Sequence, residues 1–480
     1  MAFGSLFRRA AAPAVVLSLA LGLLAGDAAT AIAPAVRAVP APTGSEHTEV
    51  RVQNAGSLSK NATVSAQYWD AQGQVVSTQT VSRLGGGSAW SFNVQNSDIP
   101  AGYAGSVTVG SDKEIRALMI KNRADADGQS NSACNGYVRG ASTLYLLGLG
   151  GVLGDGGASG WRFTVMNAST VPATVTLRYS TNSGLQIDAA RERNVVIPPL
   201  GSLIRSQATK LATLGSGFNG YATVTSSTAG VELGATIERW LDRTLTCHDA
   251  LTTGSVGQQV HLPLVQSNVN SWSTRVRVFN PGPGDATFKM VYERPGEVPR
   301  YSTLLALQAG WVAIIDNAAG PGGGSAAPFP AGYSGVGTVS VRSGPGLVAM
   351  VDYRSQGSPQ VGSYVGLTDA EATTWTFLPT VMKSYGRRGA WNSFAYLQVP
   401  GGGAATATVY YLGTAGGSGW SSQRVINFTG SMAIDHRTET SLPAGFTGAA
   451  VVNSATPLVV TGGFSSLHPS GDTMAVYSGR

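Results

Sequence analysis

Pro100-Ala101-Gly102-Tyr103-Ala104-Gly105 returns three more times, as Gly215-Ser216-Gly217-Phe218-Asn219-Gly220, Pro330-Ala331-Gly332-Tyr333-Ser334-Gly335 and Pro443-Ala444-Gly445-Phe446-Thr447-Gly448. The final glycines are 115, 115 and 113 residues apart. A period that regular points to one supersecondary unit repeated four times rather than to one large enzyme fold. A second phrase recurs about 40 residues upstream of each copy: Ala62-Thr63-Val64-Ser65-Ala66-Gln67-Tyr68, Ala173 to Tyr179, Ala286 to Tyr292 and Ala405 to Tyr411. Its odd positions are apolar or aromatic and its even ones mostly polar, which predicts a strand with one face on a core.

Working outward, a strand is predicted before each of these phrases, over 48–53, 161–166, 273–279 and 392–399. Three of these strands end at an asparagine, Asn54, Asn167 or Asn280, a residue that suits a turn because its side chain bonds nearby backbone. Pro400 takes that place in the fourth copy. After the aromatic phrase, Val107 and Val109, Ala222 and Val224, Gly337 and Val339, and Ala450 and Val452 are expected to point inward, followed by a closing strand at 115–120, 233–237, 347–351 and 458–460. An opening strand is clearest at Leu262-Pro263-Leu264-Val265 and Leu378-Pro379-Thr380-Val381, where proline suits a sheet edge. About seven short strands per unit predict an all-β chain of four tandem immunoglobulin-like β-sandwich domains. The expected boundaries are 39–123, 143–241, 259–355 and 374–480, with 124–142 and 356–374 as linkers. The aromatic of the shared phrase alternates between Tyr and Phe, so the position is expected to need the ring and not the hydroxyl.

The pattern resembles secreted bacterial proteins built from tandem immunoglobulin-like repeats, with a Leu-Pro-x-Val strand, a Val-x-Asn turn, an Ala-Thr-Val…Tyr strand and a Pro-Ala-Gly-Phe/Tyr-x-Gly turn. Residues 378–382, Trp391-Asn392 and 443–448 match it best; Leu146-Leu147-Gly148 and the missing Pro-Ala before Gly217 depart from it. The resemblance implies fold and export, not an activity.

Residues 1–33 read as a cleaved signal peptide: Arg8-Arg9, an apolar run over 10–25, then small residues allowing cleavage after Ala31 or Ala33. No later stretch is long and apolar enough to span a membrane as a helix. Charged residues are only 12% of the chain and the formal net charge is +6, with the basic residues scattered, which argues against a nucleic-acid partner. The two cysteines, Cys134 and Cys247, follow similar points of neighbouring repeats. In a straight array such points lie a domain length apart, beyond the ~7 Å Cα limit of a bridge, so a disulfide requires the chain to fold back. The spacing leaves both arrangements open.

No constellation for catalysis stands out, and none is expected for a cofactor or metal. The G-x-G-x-x-G at 215–220 lies in a β-turn without the following helix that dinucleotide binding needs. Asp125-Ala126-Asp127 resembles part of a calcium loop but lacks the later acid. Asp435-His436 with a distant serine has no nucleophile elbow beside it. Trp161, Trp272 and Trp391 occupy similar strand positions and are expected in packing. Trp69, Trp90, Trp311 and Trp420 lie near turns and are the candidates for glycan contact. The expected function is an exported, non-enzymatic surface or extracellular structural and adhesion protein, whose partners are other surface proteins or extracellular polysaccharide. The alternative is a carbohydrate-binding protein that uses the exposed rings.

Overall fold

The structure is a computed structural model and describes residues 15–19, 45–94, 98–100, 102–125, 128–137, 140–150, 159–215, 217–241, 244–294, 297, 299–318, 332–355, 361–386, 391–413, 421–466 and 474–479. The chain is nearly all β, with antiparallel sheets throughout. The second repeat shows the plan. One sheet runs Glu192–Ile197, Ala173–Thr181, Asn219–Ser226, Thr143–Gly150, and the facing one Ser202–Ser206, Ser159–Asn167, Leu233–Leu241, Thr244–Asp249. The third repeat copies it, and so does the first. In the fourth, Phe446–Ser466 is one 21-residue strand that runs through both layers and joins them into a single seven-stranded sheet. The first strand pairs with the sixth and the seventh with the second. In antibody domains these two edge strands lie on the opposite sheets.

The alternation read from the sequence is the alternation of burial. Ala62–Asp70 and Ala286–Glu293 alternate buried and solvated residues, and the closing tyrosines Tyr68, Tyr179, Tyr292 and Tyr411 are all buried. Asn54, Asn167 and Asn280 do more than turn the chain. Each is fully buried, its Oδ1 accepts from the backbone N–H two residues on, and its Nδ2 donates to carbonyls across the turn. Asn280 Nδ2, for example, donates to Gly284 O at 2.9 Å and Leu307 O at 3.0 Å. Removing it strands the buried Leu307 carbonyl and loses the partly buried bonds to Gly284 O and from Gly282 N, so Asn280→Ala should cost roughly 1–3 kcal/mol. A shift of less than about 1 kcal/mol in the urea midpoint analysis would show that water replaces the side chain.

The aromatic phrase is partly corrected. All four rings are buried, but Tyr103 and Tyr333 also use their hydroxyls: Tyr103 donates to the Trp69 and Ser106 carbonyls, Tyr333 to Glu293 O at 2.9 Å. The glycine that ends the phrase is required by close approach. A Cβ on Gly105, Gly220, Gly335 or Gly448 would run into the carbonyl of Trp69, Ser180, Glu293 or Leu412. In the first strand, Pro263 and Pro379 sit at a register shift, between Leu262 and Val265 and between Leu378 and Val381. The second repeat makes the same bulge without proline, using Gly148 at φ 75°.

The tertiary structure corrects one expectation and answers one question that the spacing left open. Residues 124–142 and 356–374 are not simple linkers: Gly128–Asn135 and Val361–Val365 are eighth strands, paired with Ile115–Asp125 and Val348–Ser355. Thr244–Asp249 and Met474–Gly479 are their counterparts. Their sequences, such as Gly-Gln-Ser-Asn-Ser-Ala-Cys-Asn, show no apolar alternation because neighbouring strands bury both faces. These four strands pack in a closed circuit, each against the next and the last against the first. The array is therefore a ring. That brings Cys134 and Cys247 together in a disulfide with Cα atoms 5.5 Å apart. The domain-length argument against bridging holds for a straight string and fails for a ring.

Of the residues read as a leader, only Val15–Leu19 is described. It pairs antiparallel with Gly105–Ser111, in the place that Thr143–Gly150, Gln259–Ser267 and Thr373–Lys383 hold in the other repeats. Arg8, Arg9 and both cleavage positions lie outside the described residues, as does Asp127 of the calcium-like turn. No helix among the described residues is long and apolar enough to cross a membrane.

Candidate functional site

The ring brings each repeat against the next, and charged and aromatic side chains gather at the four seams. Between the first and second repeats, Glu238 accepts from Lys121 and from Arg162 Nε at 2.9 Å, and Arg162 also reaches Glu46 at 3.4 Å. Burial pushes the Glu238 carboxyl up, yet the Arg162 and Lys121 charges outweigh it and hold it below its ordinary value. Between the second and third, Asp352 accepts from Arg239, from Arg277 Nε at 3.2 Å and from Ser363 Oγ at 2.9 Å. All three charged side chains are buried. Burial opposes the Asp352 charge, and the two guanidiniums overcome it and hold the carboxyl well below the usual range.

The third seam is built around stacked rings. Trp272 stacks on Tyr353, with ring centroids 4.5 Å apart, and Phe394 and Tyr396 of the fourth repeat pack beside them. The space left there is about 260 Å³. The seam between the fourth repeat and the first differs. It holds a cleft of about 590 Å³ with Trp90, Tyr385, Trp391 and Phe464 among its walls and Glu49, Arg51 and Asn131 among its polar lining. That volume lies within the ~300–1,000 Å³ range of small-ligand clefts. Trp391 stands edge-on to Phe464 at 5.9 Å, and Arg51 donates to Gly448 O at 2.9 Å.

The four tryptophans proposed for glycan contact do not form one ladder. Trp69 is half-buried, donates from Nε1 to Thr108 Oγ1 at 2.8 Å and packs near Tyr137 and Met166. Trp311 is 39% exposed and lies over Gly184, between the second and third repeats. Trp420 lies outside the described residues. Among those described, only Trp90 lines the cleft, and Trp391, read as a packing residue, joins it. Trp161 is two positions out of register with Trp272 and Trp391, which places it inside the core against Phe163. The signal that was missed is the pairing of aromatic and charged residues at matching strand positions of different repeats.

Asp435-His436 does meet a serine. His436 Nδ1 and Ser393 Oγ are 2.8 Å apart, but the same hydroxyl accepts from Met382 N at 2.8 Å and all three residues are buried. Asp435 turns its carboxylate to Arg437 instead. The third repeat shows what the arrangement does. There Thr274 takes the place of Ser393, Asn317 that of His436 and Gln266 that of Met382, with the same bonds. The pair is a clamp on the first-strand bulge. Among the described residues no group of three or more His, Cys, Asp and Glu could hold a metal ion.

Burial pushes His436 down to about 4 and His248 down to about 3. An unfolded histidine binds its proton near pH 6.5, so acid protonates the unfolded chain first. Stability is whole above pH 6.5 and falls as the pH drops from there toward 4, by up to ~1.4 kcal/mol per unit for each histidine. His436→Asn, which copies Asn317, should make this decline shallower in denaturant titrations run from pH 7 to 4.5. An unaltered slope would assign the acid sensitivity elsewhere.

No family model and no curated protein sequence matches this chain.

Proposed function

We propose that the chain is an exported, non-enzymatic structural and adhesive protein, made of four tandem immunoglobulin-like β-sandwich domains behind a cleaved leader, whose removal takes the Val15–Leu19 strand from the edge of the first repeat and leaves Gly105–Ser111 open there. The observation that carries this reading is the buried Cys134–Cys247 bridge between two repeats. Such bridges form and persist in oxidising compartments outside the cytosol. The residues the repeats share support it too, since the closing tyrosines, the turn asparagines and the ring-glycine phrase all fill interiors or complete backbone bonds. None of them makes a common reactive centre. Partners on this reading are other surface proteins or extracellular polysaccharide, with no cofactor.

The test is to express the full chain with its own leader in an exporting host. The expected product is extracellular, begins at Ile32 or Pro34 by mass, and shows no free thiol until reduced. Reduction should then cost roughly 2–4 kcal/mol of stability. A product retained in the cytosol with two titratable thiols sinks the reading. A second reading, carbohydrate binding, is favoured by the aromatic-walled cleft that Trp90 and Trp391 share.

A further inference from the structure

The four seams are built from the same strand positions, which allows them to be compared residue by residue. Strand register makes Arg162, Arg275, Phe394 and Glu49 equivalent, and likewise Thr164, Arg277, Tyr396 and Arg51. These pairs face the neighbouring repeat. The residues they meet are also equivalent: Lys121, Arg239, Tyr353 and Phe464. At the first two seams, charge meets charge, and buried ion clusters close the gap. At the third, ring meets ring, and Phe394 and Tyr396 narrow the gap to about 260 Å³. At the fourth the two chemistries are mismatched. Glu49 and Arg51 pair loosely with each other at 3.8 Å and face Trp391 and Phe464, which carry no charge, and the gap stays open at more than twice the volume of its aromatic counterpart.

We propose that this fourth seam is a saccharide-binding site, a deepening of the second reading above and dependent on it. A sugar ring matches a mismatched cleft of this kind. Its C–H face packs on indole and phenol rings, and its hydroxyls bond carboxylate, guanidinium and amide groups at the opposite wall. The amphipathic rings supply contact area at low entropic cost. Two further features point to a polar ligand. Asn131 is 2% exposed and lines the cleft, yet its Nδ2 has no hydrogen-bond partner among the described residues. The same is true of the Nε of Arg51. A saccharide hydroxyl in the cleft would supply the acceptor these two donors lack. Phe394 and Tyr396 narrow the equivalent seam to less than half this volume, so the wide opening is not a requirement of the fold.

The test uses the full mature chain and a panel of neutral and uronic-acid-containing oligosaccharides, read by calorimetry and by the indole emission of Trp90 and Trp391. Two variants accompany it. Glu49→Phe copies Phe394 and should block the cleft. Tyr385→Ala removes a ring that is 40% exposed and so leaves the fold intact. The expected result is binding of at least one oligosaccharide with an emission shift, lost in Glu49→Phe and weakened on the order of tenfold in Tyr385→Ala. Binding that survives both variants, each shown to melt normally, overturns the site and leaves carbohydrate binding standing. No binding across the panel overturns both.

Discussion

Asp352→Ala is expected to lower the stability of the folded ring by roughly 3–5 kcal/mol, the range measured when one partner of a buried ion pair is removed. The carboxylate answers two guanidiniums from different repeats, Arg239 of the second and Arg277 of the third, and all three side chains are at most 1% exposed. Its loss leaves two cations buried in the seam together with Ser363 Oγ, which donates to it. Neither arginine can shed its proton to escape the penalty. The damage should fall on the junction, so hydrogen exchange should accelerate in both Leu233–Leu241 and Val348–Ser355. The triple change Arg239→Met, Asp352→Leu, Arg277→Met should recover most of the loss, because a packed apolar seam avoids desolvating charge. If the single variant melts like the parent, the seam is hydrated and the ring is looser than described.

Phe218→Ala is expected to cost a similar roughly 3–5 kcal/mol, but with a different footprint. The ring sits 5% exposed in a cluster whose buried members, from Leu144 to Ala250, all come from the second repeat. The cavity therefore weakens one core, and exchange protection should drop between residues 143 and 250 while the other three cores keep theirs. Phe218 has no hydroxyl to lose, so the comparison with Tyr333→Phe isolates the Glu293 hydrogen bond, expected at about 1 kcal/mol. An equal loss of protection in all four repeats after Phe218→Ala would contradict separate cores.

These two outcomes mirror what could be read from the chain. Residues whose partners are close along a strand or just across a turn announced themselves. Val64, Ala66 and Tyr68 alternate with Ser65 and Gln67 because one face is buried; Asn54 and Asn167 mark turns because a short amide bonds the adjacent backbone. Gly105 and its counterparts follow an aromatic ring because no Cβ fits there. The eighth strands stayed hidden. Residues such as Ser130, Asn131 and Ser132 are buried by a neighbouring repeat and carry no apolar period to show it. The cleft stayed hidden for the same reason: Glu49 and Phe464 are 415 residues apart and each looks unexceptional in its own strand.

The amino-acid sequence alone determined that this is an antiparallel β protein of repeated units, because side-chain alternation and turn chemistry are local consequences of strand geometry. Only the tertiary structure decided that the chain closes into a ring, that Cys134 reaches Cys247, and which of four equivalent seams is left open. Those outcomes depend on which residue types meet across more than a hundred positions of sequence, and no local pattern records that meeting.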